Sequence, residues 1–550
     1  MTFESFIPPR AKSVLELTGE VGKNFEPSDE RFLAIQPECK YTVEKYLSDA
    51  KGTFDAVIVQ SNLIGNMEVK ELTDLIKKIA GKLNKGGKII FGLDNVAFIG
   101  NIVSILEGGK PGITATLTVE ELKKAIADAK LNIAGELNAA RKISIPKALA
   151  DIAKTDIATF LYIISAIPEK LPKSLMIQTM LGEAVVCAPH RVHIPNRFMI
   201  TSPNVATTTI PLGKPFHLFT KEEYDRSIFI NQRMSFANFK QGADFFEKAV
   251  DKGYLCLSEM DDNPNLWPDD YAKSANVNFI GVHAIQTSTK YLADVLKEFN
   301  PHVKVFPNQL FHLLPERDYA EESKNKKNPV TIFFGALNRD KDFEEILPVI
   351  NKLSKEYGKK IAFNIISRKE LFDSIESENK NRIGDPKTYE GQFVSYALYE
   401  KTIHNSDIAL LPLRDTEFNR AKSDLKFIEC AGAGAAVLAS PLIYSDVVKD
   451  GENGFIYNDL KEFEEKLRLL IDNKEKRIDI AKNAYEYVKH NRLMAQHYEE
   501  RLDWYDELFK KLPELTKEAR ERLSKVEVPP EVSSEGEGNS DAHAEIIIPE

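Results

Sequence analysis

Three charged residues stand close together in FNRAKSDLKFIECAGAGAAVLAS, residues 418–440: Lys422, Lys426 and Glu429. Ser423 or Asp424 can cap a helix that starts at Leu425, and Gly434 can end it. Lys426 and Glu429, three apart, then share a face, while Leu425, Ile428 and Gly432 turn toward a core. The start of such a helix offers free N–H groups and a partial positive charge to an anion. Lys422 and Lys426 would add full charges for a pyrophosphate. A carboxylate one turn further in can accept the two vicinal hydroxyls of a ribose. Small residues from Gly432 to Gly434 let backbone approach closely. A solvated Lys/Glu face on an amphipathic helix has the same spacing, so types and spacing alone leave both readings open.

A second group lies upstream. TIFFGALNRDKDFEEILPVI, residues 331–350, reads as a strand, a tight loop at Gly335 and a helix, with Arg339 and Lys341 at the turn. Cations there could neutralise a departing phosphate. Candidate cleft residues are Gln232, Arg233, Asp261, Asp262, His283 and Ser288, and His190 and His193 could also reach a cleft. Asp261 and Asp262 invite a metal reading, since paired carboxylates can bridge a divalent cation to a diphosphate. They lie in the half opposite the diphosphate motif, so contact with sugar hydroxyls, solvation or capping is expected instead, and no metal is expected. Cys39, Cys187, Cys256 and Cys430 are scattered and form neither a disulfide framework nor a metal motif.

Three α/β series must position these residues. SVLEL, FDAVIVQ and GGKIIFGL read as strands, with VEKYLSDA and VKELTDLIKKIAGKL as helices; the second helix gathers Leu72, Leu75, Ile76, Ile79 and Leu83 on one face. Residues 96 to about 175 read mainly as helices broken at Pro146, Pro168 and Pro172, and the apolar run IATFLYIISAIP, 157–168, as a buried linker helix. A second series starts near EAVVCAP and runs through SIFINQ, GYLCLSEM, FIGVHAIQTS and VKVFPNQ. After a polar linker, RDYAEESKNKKN, a third runs through PVTIFFGALN, KIAFNIISR, SDIALLPL, AAVLAS and GFIYND, and long helices follow to about Val526. The expected division is 1–110, a helical connector 111–175, 176–316, 325–490, C-terminal helices 491–525 and an acidic tail 526–550. Open parallel sheets bind ligands beyond the carboxyl ends of their strands, so the clefts between neighbours are the expected sites.

The chain has 550 residues, 43% hydrophobic and 28% charged, with net charge −10. The last 25 residues hold seven acids and no Lys or Arg, which leaves the body near −3. There is no basic excess for nucleic acid. The N-terminus lacks an apolar signal core, and IATFLYIISAIP is too short to span a bilayer. A cytoplasmic protein without an integral membrane segment is expected, with peripheral membrane contact left open.

The block SDIALLPLRDTEFNRAKSDLKFIECAGAGAAVLASPLIYSDVVKDGENGF, residues 406–455, resembles the C-terminal domain of the retaining GT-B glycosyltransferases of the group 1 (family 4-like) type. The resemblance implies that Glu429 holds the donor ribose and that Lys422, Ser423 and Lys426 bind the diphosphate. It implies catalytic work for Arg339, Lys341 and Lys422, with Gly335 in the donor loop and Ser367 and Arg368 near the base. Many members carry a second Glu eight residues before the ribose Glu; here that position is Ala421, which puts the grip on the donor sugar in doubt. Residues 176–316 resemble the acceptor half, through SIFINQRMSF, GYLCLSEMDDNPNLWPDD and FIGVHAIQTSTKYLADVLKEFNPHVKVFPNQL. The implied donor is a nucleotide diphosphate-sugar, UDP- or GDP-linked, and the acceptor a glycan or protein. No metal is needed, and the donor phosphate itself assists the acceptor hydroxyl.

AKSVLELTGEVGKNF, residues 11–25, resembles the first motif of class I S-adenosylmethionine methyltransferases, in a degenerate form. Glu20 stands where backbone should approach the cofactor, and Gln36 replaces the acid expected at the ribose. Binding of S-adenosylmethionine is therefore not expected. The fold class is thus α/β, with three Rossmann-like domains, the last two forming a GT-B pair around a cleft. A bifunctional glycosyltransferase/methyltransferase and a non-catalytic scaffold of decayed domains are the alternatives.

Overall fold

The computed structural model describes residues 6–7, 11, 13–17, 32–35, 43, 47, 52–106, 115–140, 159–182, 187–211, 213–267, 271–319, 329–335, 339–367, 369–384 and 394–526. They form three Rossmann-like α/β units, each built on a six-stranded sheet.

The first sheet contains β1 (Val14–Leu17), β2 (Phe32–Ile35), β3 (Phe54–Val59), β4 (Leu83–Asp94), β5 (Asn132–Ala140) and β6 (Thr159–Ile167), in the order β2-β1-β3-β4-β6-β5. The first four are parallel, and β6 runs antiparallel to both β4 and β5. The helix Val69–Ala80 buries Leu72, Leu75, Ile76 and Ile79 against it, whereas Leu83 opens β4. The helical connector expected over 111–175 is corrected here. Only Val119–Asp128 is helical in its described part, and β5 and β6 complete the sheet. The run read as a linker helix is β6, because a continuous apolar stretch of that length is equally compatible with a strand buried on both faces.

The second sheet is wholly parallel: β7 (Leu175–Leu181), β8 (Val205–Pro211), β9 (Arg226–Gln232), β10 (Tyr254–Met260), β11 (Ala284–Thr287) and β12 (Val303–Val305), ordered β12-β11-β10-β9-β7-β8. The series begins at β7, ahead of the expected EAVVCAP, whose described end leads into a π-helix, Pro189–His193. The third sheet is also parallel: β13 (Val330–Gly335), β14 (Ile361–Ile366), β15 (Lys380–Arg382), β16 (Ile408–Leu411), β17 (Ala436–Ala439) and β18 (Phe455–Ile456), ordered β15-β14-β13-β16-β17-β18. β10 and β16 are buried along their whole length, as strands covered by helices on both faces must be.

Helices Leu460–Asp472 and Lys474–Asn491 pack on the third sheet. The chain then returns: Tyr498–Lys510 and Leu512–Ser524 bury Tyr498, Tyr505, Leu508 and Leu515 against Leu175, Ile177, Ile228 and Leu257 of the second unit. Arg317 and Tyr319, at the head of the expected linker, are anchored to the third unit. Arg317 Nη1 donates to the Ser406 carbonyl at 2.6 Å, and Tyr319 Oη to the Gly434 carbonyl at 2.8 Å. Gly434 has φ of +80°, and a Cβ there would lie 3.0 Å from both Arg317 and Tyr319. Among the described residues no helix is long and apolar enough to cross a membrane.

Candidate active site between the second and third sheets

Residues just past the carboxyl ends of the second sheet meet those past the carboxyl ends of the third. Asn263 Nδ2 donates to Glu417 Oε1 at 2.9 Å, and Asn308 Nδ2 to Ser423 Oγ at 2.8 Å. Lys422 Nζ lies 2.6 Å from Asp262 Oδ1. Asp261 and Asp262, expected apart from the diphosphate motif, are thereby corrected: Asp262 is in direct contact with it. The separation inferred from chain order disappears because two parallel sheets point their carboxyl ends at one cleft.

The third unit supplies the cations. The loop after β16 leads into a short helix, Glu417–Arg420, capped by Thr416 Oγ1, which accepts from the Asn419 amide at 3.2 Å. Phe418 on this helix carries Lys422 Nζ at 3.8 Å and Arg339 Cζ at 5.7 Å from its ring centroid. Two cations from separate loops are thus gathered on one ring. Burial pushes the Lys422 pKa down, and Arg339 adds to this, against the pull of Asp262. Arg339 also bonds Asn419 Oδ1 and lies 3.4 Å from Asp342 Oδ2. Asp342 Oδ1 accepts from Asn419 Nδ2 at 2.8 Å and from the Arg414 amide at 3.0 Å. Lys341 is exposed on the wall of a cavity of about 620 Å³ that Arg414, Glu344, Glu370 and Phe418 also line. Gly335 ends β13, where a Cβ would come within 2.6 Å of Ile366 Cβ. Ser367 is buried; Arg368 lies outside the described residues.

The helix predicted from Leu425 spans Leu425–Gly432. Neither expected cap is made. Asp424 is spent on Arg492, accepting from Nη2 at 2.9 Å, and Ser423 on Asn308. Glu429 is buried at 7% exposure rather than solvated on an open face. Its Oε2 accepts from Tyr399 Oη at 2.8 Å and from Lys426 Nζ at 2.9 Å. Oε1 faces Tyr396 Oη at 3.5 Å and His190 Nε2 at 3.8 Å. Oε2 thus takes the two shorter bonds and Oε1 the longer contacts, so the carboxylate is fixed mainly through Oε2. Lys426 is engaged as well, bonding Tyr399 Oη at 2.9 Å and lying over its ring at 4.3 Å. Gly432 meets the second unit, where a Cβ would sit 2.8 Å from Leu310 Cδ1. Ala421 is fully buried in the apolar cluster of the second unit.

On the second unit, Gln232 ends β9 and donates to Cys187 Sγ at 3.0 Å. Arg233 follows with φ of +49°, and Gly182 leaves room for it, since a Cβ there would meet the Arg233 carbonyl oxygen at 2.2 Å. Its guanidinium reaches Asp262 Oδ2 at 3.2 Å and Asp261 Oδ1 at 3.7 Å. Burial, with Asp261 beside it, pushes the Cys187 thiol up to about 12. Ser288 is buried just past β11. His283 is not a cleft residue. It precedes β11, at the opposite end of the strand, where Nδ1 accepts from the Cys256 amide at 2.8 Å and Nε2 lies 3.1 Å from Thr516 Oγ1. Of the two loop histidines, His190 reaches the third unit, its ring 6.0 Å from that of Tyr396; His193 closes the π-helix.

Sequence reading missed Arg191, Asn308, Phe418, Asn419, Tyr396 and Tyr399. Arg191 is fully buried; Nε donates to Glu259 Oε1 at 2.7 Å and Nη1 to Asn308 Oδ1 at 2.9 Å. Asn308 then bonds Ser423, so a continuous polar chain runs from β10 to the head of the Leu425–Gly432 helix. The only local signal was that Phe418 and Asn419 stand inside the charged stretch itself. Among the described residues no cluster of three His, Cys, Asp or Glu could hold a metal ion.

Residues 349–503 match the family model described as glycosyl transferase-like, a span that includes Lys422, Lys426 and Glu429. No curated protein sequence matches the chain. Among the solved structures that are similar at low identity are the following three. HepE from Anabaena, in complex with UDP and glucose, has 12% identity and a TM-score of 0.43, covering 61% of this chain and 100% of its own. Sucrose-phosphate synthase from Thermosynechococcus elongatus has 10% identity and a TM-score of 0.43, covering 62% and 100%. TarM from S. aureus, whose complex includes UDP, has 15% identity and a TM-score of 0.36, covering 52% and 55%.

Proposed function

We propose that the protein is a retaining GT-B glycosyltransferase that moves a sugar from a nucleoside diphosphate donor, UDP- or GDP-linked, to a glycan or protein acceptor. The observation that carries this reading is the gathering of Arg339 and Lys422 on Phe418, just ahead of the helix that carries Lys426 and Glu429, inside or beside the glycosyl transferase-like span. Arg339 and Lys422 stabilise the leaving diphosphate, and Lys341 adds charge at its edge. Glu429 Oε1 accepts a ribose hydroxyl. Gln232, Arg233, Asp261 and Ser288 form the acceptor side. With Ala421 buried between the units, the donor sugar is held by other groups on the cleft wall. Assistance by the donor phosphate is the proposed route for the acceptor hydroxyl, with Asp261 and Asp262 held by Arg233.

No divalent metal is required in this reading. Asp261 and Asp262 are ion-paired with Arg233, and Asp262 with Lys422 as well, so their charge is already balanced by fixed cations. The first unit serves as a docking or scaffold domain without S-adenosylmethionine. In β1, Glu16 is buried and accepts from Gln60 Nε2 at 2.5 Å, an internal partner rather than an open ligand. Glu20, Gly22, Gln36 and the acidic tail lie outside the described residues.

A thermal-shift panel of UDP, GDP, ADP, CDP and dTDP, run in EDTA, tests the reading. One nucleotide is expected to raise the melting temperature without metal. No shift with any of them, or a shift that requires Mn²⁺ or Mg²⁺, would count against it.

A further inference from the structure

Lys422 is held by the opposite unit. Its ammonium lies 2.6 Å from Asp262 Oδ1, while Asp262 Oδ2 takes Arg233 Nη2 at 3.2 Å. The Lys422 side chain is 22% exposed and that of Asp262 9%, so solvent screens the pair weakly. The same ammonium shares the Phe418 ring with Arg339, the arrangement suited to a phosphate. A carboxylate and a phosphate cannot both hold one ammonium without repelling each other at close range. Arg233 offers Asp262 a second cation, at a corner fixed by its positive φ and by Gly182 behind it.

We propose that Asp262 is an internal competitor of the donor diphosphate. The two contend for Lys422, and Asp262 passes to Arg233 alone when the diphosphate engages the ammonium. This rests on the donor reading of Lys422 given above and extends it to the residue that tunes donor affinity. Because Asp262 and Lys422 stand 160 residues apart on different units, the exchange also alters the contact between the two halves of the cleft. The links Asn263–Glu417 and Asn308–Ser423 persist and limit the movement.

Calorimetric titration of the full chain with UDP, GDP and inorganic pyrophosphate tests this in Asp262→Asn and Asp262→Glu. Asparagine keeps the shape and drops the charge; glutamate keeps the charge. Asp262→Asn is expected to tighten binding by about fivefold or more, and Asp262→Glu to stay within about twofold of the starting protein. In a Lys422→Gln background the gain from Asp262→Asn should vanish. A residue that merely supported the fold would weaken binding when replaced, so the sign of the change separates the roles. Asp262→Ser serves the same test should the asparagine variant fail to fold. Unchanged or weaker binding in Asp262→Asn and Asp262→Ser, with nucleotide binding intact in the starting protein, overturns this inference and leaves the donor reading standing. Absence of nucleotide and pyrophosphate binding in every form overturns both.

Discussion

Glu429 is the residue on which the donor reading turns. Its Oε2 accepts from Tyr399 and Lys426, which fixes the carboxylate, while Oε1 takes the longer contacts of Tyr396 and His190. Loss of a charge-assisted bond costs roughly 1.5–3 kcal/mol. Glu429→Ala is accordingly expected to weaken nucleotide binding by between about tenfold and a hundredfold, measured calorimetrically in a variant shown to be folded. Unchanged affinity would remove the ribose assignment. His283 gives a prediction of a different kind. Burial pushes its pKa from 6.5 down to about 4. The unfolded chain takes up that proton first as the pH falls, so the neutral buried ring contributes stability that is complete above pH 6.5 and is lost toward pH 4. The expected loss is about 3 kcal/mol across that window. Urea unfolding at both pH values should show a smaller pH dependence in His283→Asn; parallel curves for the two proteins would refute the assignment.

At the scale of elements, the two final helices belong to the second unit although they follow the third. Tyr505 is fully buried in their apolar face, and its hydroxyl donates to Gln286 Oε1 at 2.9 Å. Arg501 on the same helix lies 3.9 Å from Glu259, which Arg191 also pairs. Burial pushes the Glu259 carboxyl up despite both arginines, so the pairing compensates a large desolvation. Truncating a buried aromatic of this size costs roughly 3–5 kcal/mol. Tyr505→Ala should lower the urea midpoint accordingly, and Tyr505→Phe should cost only about 1 kcal/mol for its lost hydrogen bond. A surface-like effect, within about 0.5 kcal/mol, would mean that the helices do not dock as described.

For the whole molecule, the open question is what the first unit adds. Its sheet is complete, with β3 and β4 buried at their centre, so it folds whether or not it binds a cofactor. In the proposed scaffold reading, Glu20 would set a carboxylate against the cofactor's own, and like charges at about 4 Å repel by roughly 1 kcal/mol in water and more in a cleft. In the same reading Gln36 would forfeit a charged bond to the ribose, about another 1 kcal/mol. Calorimetry on the full chain is therefore expected to detect no S-adenosylmethionine binding at micromolar concentrations. A low-micromolar dissociation constant, lost on Gly22→Ala or Gln36→Ala, would instead favour the bifunctional enzyme.

What could be read without a structure was local. The apolar runs of β3, β10 and β16 and the face of the Val69–Ala80 helix follow from short-range pattern, and so do three α/β units in series. The spacing of Lys426 and Glu429 on one helical turn is equally local. TFLYIISAI shows where pattern stops: a run that is apolar throughout has no period, so only its antiparallel partners β4 and β5 make it a strand. His283 shows the same limit, since FIGVHAIQTS reads as one strand, whereas Val277–Ile280 is helical and the strand starts only at Ala284, leaving His283 at its opening end. The caps expected from Ser423 and Asp424 were redirected to Asn308 and Arg492, partners more distant in sequence by over sixty residues. The tertiary structure alone decided that Asp262 meets Lys422 and that His190 approaches Glu429. Such pairs arise because two sheets turn their carboxyl ends on a common cleft, and no spacing along the chain encodes which loops then touch.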